Sequence, residues 1–132
     1  MPDDSGKEPS VPLKILLADD MPMNLQLVVK LLTRRGHIVT AVENGEQAYE
    51  SYKNNIFDVV LMDMQMPVMD GLEFLKNLRA MPGGDRPVVV FCTTENDINH
   101  IQKAIEAGAN EYIMKPFDSE IIQTKFAQAG LL

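Results

Sequence analysis

Phe57-Asp58-Val59-Val60-Leu61-Met62-Asp63-Met64-Gln65-Met66-Pro67-Val68-Met69-Asp70-Gly71 is an apolar run of strand length that stops at a carboxylate and gives way to a loop carrying Pro and Gly. A short run rich in Val, Leu and Phe suits a strand buried on both faces of a parallel sheet. Asp63 then stands where the strand leaves the sheet, the edge at which open α/β sheets bind ligands. A carboxylate buried there without a partner is costly, so Asp63 has to be hydrogen-bonded, metal-bound or solvent-facing.

On the N-terminal side, Lys14-Ile15-Leu16-Leu17-Ala18 predicts a first strand that ends in Asp19-Asp20. Pro22 suits the first turn of a helix, where its missing N–H is no loss. Leu25, Val28, Val29 and Leu32 repeat at helical spacing, and Gly36 is the expected stop. Ile38 to Val42 predicts a second strand, and Asn44-Gly45 turns the chain into a helix from Glu46 to Lys53. The central strand is expected over Phe57 to Met62, followed by a helix from Leu72 to Ala80 that Met81-Pro82-Gly83-Gly84 closes.

Beyond it, Val88 to Cys92 predicts a fourth strand, ending in Thr93-Thr94. Ile98, Ile101, Ala104 and Ile105 mark a fourth helix stopped at Gly108, and Glu111 to Met114 a short fifth strand ending at Lys115-Pro116. The last helix starts from Asp118 as N-cap, with Ile121, Ile122 and Phe126 as its apolar positions. A strand–helix pair repeated five times predicts parallel strands with helices on both faces. The expected fold is a doubly wound, flavodoxin-like α/β sheet of order 2-1-3-4-5.

A chain of 132 residues is the size of one domain, and 45% apolar with 23% charged residues is the composition of a soluble globular fold. Residues 1–12 hold almost nothing to bury and read as a flexible leader, leaving 13–132 as the domain. The net charge of −7 disfavours nucleic acid and anionic membranes as partners. One cysteine excludes an intrachain disulfide, and neither a signal segment nor a membrane span is seen, so a cytoplasmic protein is expected.

In a parallel sheet the strand ends share one edge, so Asp19, Asp20, Asp63, Thr93 and Lys115 converge there from distant parts of the chain. Carboxylates ~4 Å apart at an intermediate dielectric repel by roughly 4 kcal/mol a pair, and protonation or a cation relieves this. Oxygen donors without His or Cys favour Mg²⁺ over zinc. Lys115 adds a compact charge able to reach a phosphoryl group, and Thr93 a hydroxyl donor. The set suits phosphoryl transfer onto a nucleophilic carboxylate.

Asp19-Asp20, the segment Met62 to Gly71, Thr93 and Tyr112-Ile113-Met114-Lys115-Pro116-Phe117 resemble the receiver domain of bacterial two-component response regulators. The likeness extends from Leu13 to Leu132; CheY-type stand-alone chemotaxis regulators are most similar over Phe91 to Phe117, and the first half equally resembles receivers of hybrid histidine kinases. The resemblance implies that Asp63 accepts a phosphoryl group from a phosphohistidine of a histidine kinase or phosphotransfer protein. It implies that Asp20, Asp63 and the backbone carbonyl of Gln65 ligate Mg²⁺ directly, with Asp19 acting through water. Thr93 would hydrogen-bond the phosphoryl group, Lys115 would pair with it, and Tyr112 would be an aromatic switch turning inward once Thr93 moves. The output face would be the fourth helix, fifth strand and fifth helix, acting on an unnamed protein target. Lys115-Pro116 is commonly cis in the family.

Blander readings stand beside these. Asp63 alone could cap the next helix, Asp19-Asp20 could cap the first, and Tyr112 could be a half-buried packing residue. Cys92 is expected in the core, His37 and His100 on the surface, the methionines of the central loop as filler, and Asp58 and Asp70 in turns or caps. The expected function is therefore a monomeric signalling switch, not an enzyme on external substrates. A receiver cut from a hybrid kinase and a pseudo-receiver binding module are the alternatives. A phosphohydrolase has less support, since Gln65 stands where a second Asp would be needed, and no Gly-rich turn after the first strand suggests a dinucleotide site.

Overall fold

The computed structural model describes residues 12–64, 66–94, 99–115 and 117–131. Along it run β1 (Lys14–Ala18), α1 (Pro22–Arg34), β2 (Ile38–Val42), α2 (Gly45–Asn54), β3 (Val59–Asp63), α3 (Gly71–Ala80), β4 (Val88–Thr93), α4 (Ile101–Glu106), β5 (Glu111–Met114) and α5 (Ser119–Gln128). The strands are parallel, in the order β2-β1-β3-β4-β5. That is the doubly wound sheet expected from the alternation of patterns. The expected leader, apart from Pro12, and Ile98 fall outside the described residues.

Alternation along the strands builds two cores. Leu16, Val60, Met62, Val89 and Phe91 face Ala48 of α2, Phe74, Leu75 and Leu78 of α3, and Ala104 of α4. Ile15, Leu17, Val59, Leu61, Val90, Cys92 and Ile113 face Val28 and Leu32 of α1 and Ile122 and Phe126 of α5. Because both faces are covered, the central strands read as continuous apolar runs. Met62, Met64 and Met66 fill the first core, and Cys92 lies in the second, as expected.

Local chemistry fixes the ends of the elements. Asn44, Asp70 and Asp118 each accept a backbone N–H three residues on, at 2.8, 2.9 and 3.0 Å, and so cap α2, α3 and α5. Gly36 closes the turn after α1 with a φ of +90°, which glycine adopts without steric cost.

Three expectations need correction. The central strand begins at Val59 and not Phe57, because Asp58 Oδ2 takes the Lys14 N–H at 2.8 Å in place of an earlier backbone carbonyl, so the ladder to β1 runs no further back. Ile105 and Ile121 are exposed, since α4 and α5 each bury only a narrow stripe carried by Ile101 and Ala104 and by Ile122 and Phe126. His37 is buried at 5% exposure: its Nδ1 accepts the Leu13 N–H at 3.1 Å, and its ring meets Phe126 edge-on at 6.1 Å. Burial, and next to it the Arg35 charge, lower its pKa below the usual histidine value.

Candidate functional site

The parallel register carries the site. Ala18 pairs with Met62, so the residues after them, Asp19 and Asp63, leave the sheet side by side. Asp63 pairs with Cys92 and Thr93 with Met114, which brings Thr93 and Lys115 to the same edge. The Lys115 N–H donates to the Thr93 carbonyl at 2.7 Å, so pairing continues one residue past β5.

One carboxylate oxygen from each of Asp19, Asp20 and Asp63 lies within 4.8 Å of the others. At that spacing each pair repels by about 3 kcal/mol in a partly polar environment. Lys115 offsets part of this: its ammonium lies 3.3 Å from Asp63 Oδ2 and 3.6 Å from Asp19 Oδ2. Burial is the largest single influence on Lys115 and works against its charge, but Asp63 and then Asp19 outweigh it and leave the pKa raised. Lys115 is thus held as a cation. Cys92, beneath the site, is held neutral: burial pushes its thiol up to about 12, the Lys115 charge opposes this, and the carboxylates of Asp63 and Asp19 add to it. That thiol is inert.

Asp19 and Asp20 play unequal parts. Asp19 is buried, its N–H donates to the Val42 carbonyl at 3.2 Å, and its Oδ1 accepts the Met21 N–H at 2.9 Å. Asp20 is exposed. The bland capping readings are answered directly. Among the described residues α1 has Met21 at its N-cap position with no side-chain cap bond, and α3 is capped by Asp70 and not by Asp63.

Thr93 is buried, and its hydroxyl donates to the Thr94 carbonyl at 3.2 Å, long for an O–H donor and so weakly held. Tyr112 is half-buried on β5, paired in register with Phe91, and packs on the core beneath α4. Gln65, expected to contribute a backbone carbonyl, and Pro116 lie outside the described residues.

Sequence reasoning missed the flank of the site. A cleft of about 370 Å³ opens beside the acidic centre, lined among others by Asp19, Asn24, Leu27, Thr94, Lys115 and Phe117. Asn24 gave only a faint signal, a polar residue between Met23 and Leu25 in the first turn of α1.

Three carboxylate oxygens with a neighbouring ammonium can hold a hard divalent cation and receive the oxygens of a phosphoryl group. The model of the response regulator receiver domain matches residues 15–127. The chain belongs to the response regulator receiver family. This receiver is 34% identical over 108 residues to the chemotaxis protein CheY of Bacillus subtilis, covering 81% of the chain and 88% of CheY. It is 33% identical over 120 residues to the hybrid signal transduction histidine kinase I of Dictyostelium discoideum, covering 85% of the chain but only 7% of that kinase's length. Among solved structures, it superposes with a TM-score of 0.81 at 30% identity on the receiver domain of a sensor histidine kinase of Pseudomonas aeruginosa PAO1, covering 91% of this chain and 99% of that one. That receiver holds a magnesium ion coordinated in its active site cleft. This receiver is accordingly a two-component signalling module. No helix among its described residues is long and apolar enough to cross a membrane.

Proposed function

We propose that this receiver takes a phosphoryl group from a phosphohistidine, borne by a histidine kinase or phosphotransfer protein, onto Asp63. The observation that carries the reading is the convergence of Asp19, Asp20 and Asp63 on one point, with the Lys115 ammonium against two of them. An Asp63 oxygen forms the new bond to phosphorus as the P–N bond of the phosphohistidine breaks, and the electron pair leaves on the imidazole nitrogen. Lys115 exchanges a carboxylate oxygen for a phosphoryl oxygen, and Thr93 turns its hydroxyl from Thr94 to the same group. The three carboxylates fit Mg²⁺; on this reading Asp20, Asp63 and the carbonyl of Gln65, which lies outside the described residues, would hold the ion, with Asp19 acting through water. Bound there, the ion would neutralise carboxylate charge and orient the phosphoryl oxygens.

Phosphorylation then shifts an existing equilibrium between two conformations, because Thr93 and Lys115 contact the phosphoryl group better in one of them. Tyr112 turns inward behind Thr93, and the α4-β5-α5 face meets a protein target. On this reading the receiver unit spans 13–132, works in the cytoplasm as a monomer, and promotes only its own phosphorylation and dephosphorylation. A receiver borne by a hybrid kinase is the second reading, supported by the 33% identity to such a kinase beside the 34% to CheY.

Incubation with Mg²⁺ and acetyl phosphate, followed by intact-mass measurement, is the test. The wild type gains one phosphoryl mass and Asp63→Ala none. Equal labelling of both would place the acceptor elsewhere.

A further inference from the structure

The fifth strand is an edge strand of the sheet. Neighbours on it point to opposite faces, so Glu111 lies with Ile113 on the side of α5, while Tyr112 packs on the core beneath α4. One side chain joins the two. Lys125 of α5 donates to Glu111 Oε1 at 3.0 Å, and the same ammonium stands 5.2 Å from the centre of the Tyr112 ring. To do both it must reach across the open edge of β5 to the half-buried Tyr112 ring. Lys125 and Glu111 are each about three-quarters buried, with 26% and 25% of their side chains exposed, so water screens the arrangement less than at an open surface.

We infer that Lys125, tethered by Glu111, is a positioning residue that holds the Tyr112 ring outward and so opposes the phosphorylated conformation. The inference rests on the switch reading above. A cation over a tyrosine ring within about 6 Å is attracted to its face. Turning the ring inward behind Thr93 takes the face away from the ammonium, whereas the bond from Lys125 to Glu111 survives. The contact therefore differs between the two states, as a bias on a two-state equilibrium requires. An attraction of this kind at a partly exposed site corresponds to a two- to fivefold shift, roughly, in the ratio of the two states.

Beryllofluoride, which mimics the phosphoryl group on Asp63, gives a binding readout free of turnover. Its affinity with Mg²⁺ present is measured by titration, while ring resonances of ¹³C-labelled tyrosine are followed by NMR. Tyr49 and Tyr52 on α2 are internal references. Lys125→Met is expected to raise the affinity about two- to fivefold and to move the Tyr112 resonance of the unloaded protein part of the way to its loaded position. Lys125→Arg, which keeps a cation for the ring, restores both values. Glu111→Gln, which frees the ammonium but leaves its charge, moves both in the direction of Lys125→Met by less, and replaces it if that variant does not fold. Unchanged affinity and an unmoved Tyr112 resonance in a folded variant would overturn the latch. Failure of wild type to bind beryllofluoride would instead overturn the phosphoacceptor reading.

Discussion

The Lys115 ammonium lies 3.3 Å from Asp63 Oδ2, so the expected nucleophile is held by a cation in the resting state. The same ammonium reaches Asp19 Oδ2 at 3.6 Å, and it occupies charge that a divalent ion would also seek. Lys115→Met is therefore expected to bind Mg²⁺ more tightly than wild type, on the order of tenfold, because the carboxylate cluster loses its neighbouring positive charge. Without metal the variant should be less stable by about 1–2 kcal/mol, and Mg²⁺ should recover most of the loss. Thermal unfolding with and without Mg²⁺, and again after chelation, measures both. A smaller Mg²⁺-induced rise in Tm for the variant than for wild type would contradict the competition.

His37 makes stability depend on mildly acidic pH. Its Nδ1 accepts the Leu13 N–H, so the folded form requires that nitrogen unprotonated, and burial beside Arg35 lowers its pKa below the usual 6.5. Between that lowered value and 6.5 the unfolded chain binds the proton more readily, so stability rises with pH across the window. The stabilisation is complete above about 6.5 and is lost as pH falls towards the folded value, by at most about 1.4 kcal/mol per pH unit. His37→Gln, whose amide oxygen can accept the same N–H but does not titrate, should lose this dependence. Urea unfolding of both proteins at pH 7.5 and 5.5 decides it, and parallel losses would exonerate His37.

How legible these features were follows from what each depends on. The acidic centre was readable because a parallel sheet brings strand ends together whatever the side chains between them do, and Asp19, Asp63 and Lys115 all sit at such ends. Caps were readable from purely local sequence, as at Asp70 and Asp118. What escaped depends on long-range pairing. His37 owes its burial to Leu13, 24 residues away, and to Phe126 on the last helix, neither of which leaves a periodic trace. Asp58 shortens β3 through a bond to Lys14, 44 residues earlier. Lys125 draws no attention in the sequence, and only the fold sets it beside the Tyr112 ring.

Gly71 sets how closely α3 approaches the end of β3. Its N–H donates to the Met64 carbonyl at 3.1 Å, and an added Cβ would come within 2.5 Å of Phe91 Cε1 and 2.7 Å of the Asp63 carbonyl oxygen. The aromatic ring is wholly buried and the carbonyl belongs to the proposed acceptor Asp63, so neither yields easily. Gly71→Ala is expected to cost about 1–3 kcal/mol, despite alanine's better helix propensity, and to slow labelling of Asp63 by acetyl phosphate. Denaturant unfolding and the labelling rate are the measurements. A gain in stability would mean that α3 can shift away at no cost.

Val68 carries the opposite situation, a strained side chain with room to remove it. The Met69 N–H donates to the Pro67 carbonyl at 2.8 Å, which makes a γ-turn centred on Val68, whose φ is +70°. That is the rarer and more strained hand of γ-turn, and a β-branched residue is among the worst suited to a positive φ. Val68 is 73% exposed, so little packing compensates. A left-handed conformation costs a side-chain-bearing residue roughly 1–2 kcal/mol, while glycine there gives back roughly 0.5–1 kcal/mol through the freedom it adds to the unfolded chain. Strain relief outweighs the entropy, and Val68→Gly should stabilise the protein by up to about 1 kcal/mol. Val68→Ala, which retains a Cβ, should recover a smaller part. Equilibrium unfolding in urea ranks the three proteins, and a glycine variant less stable than wild type would show that the turn is not under strain.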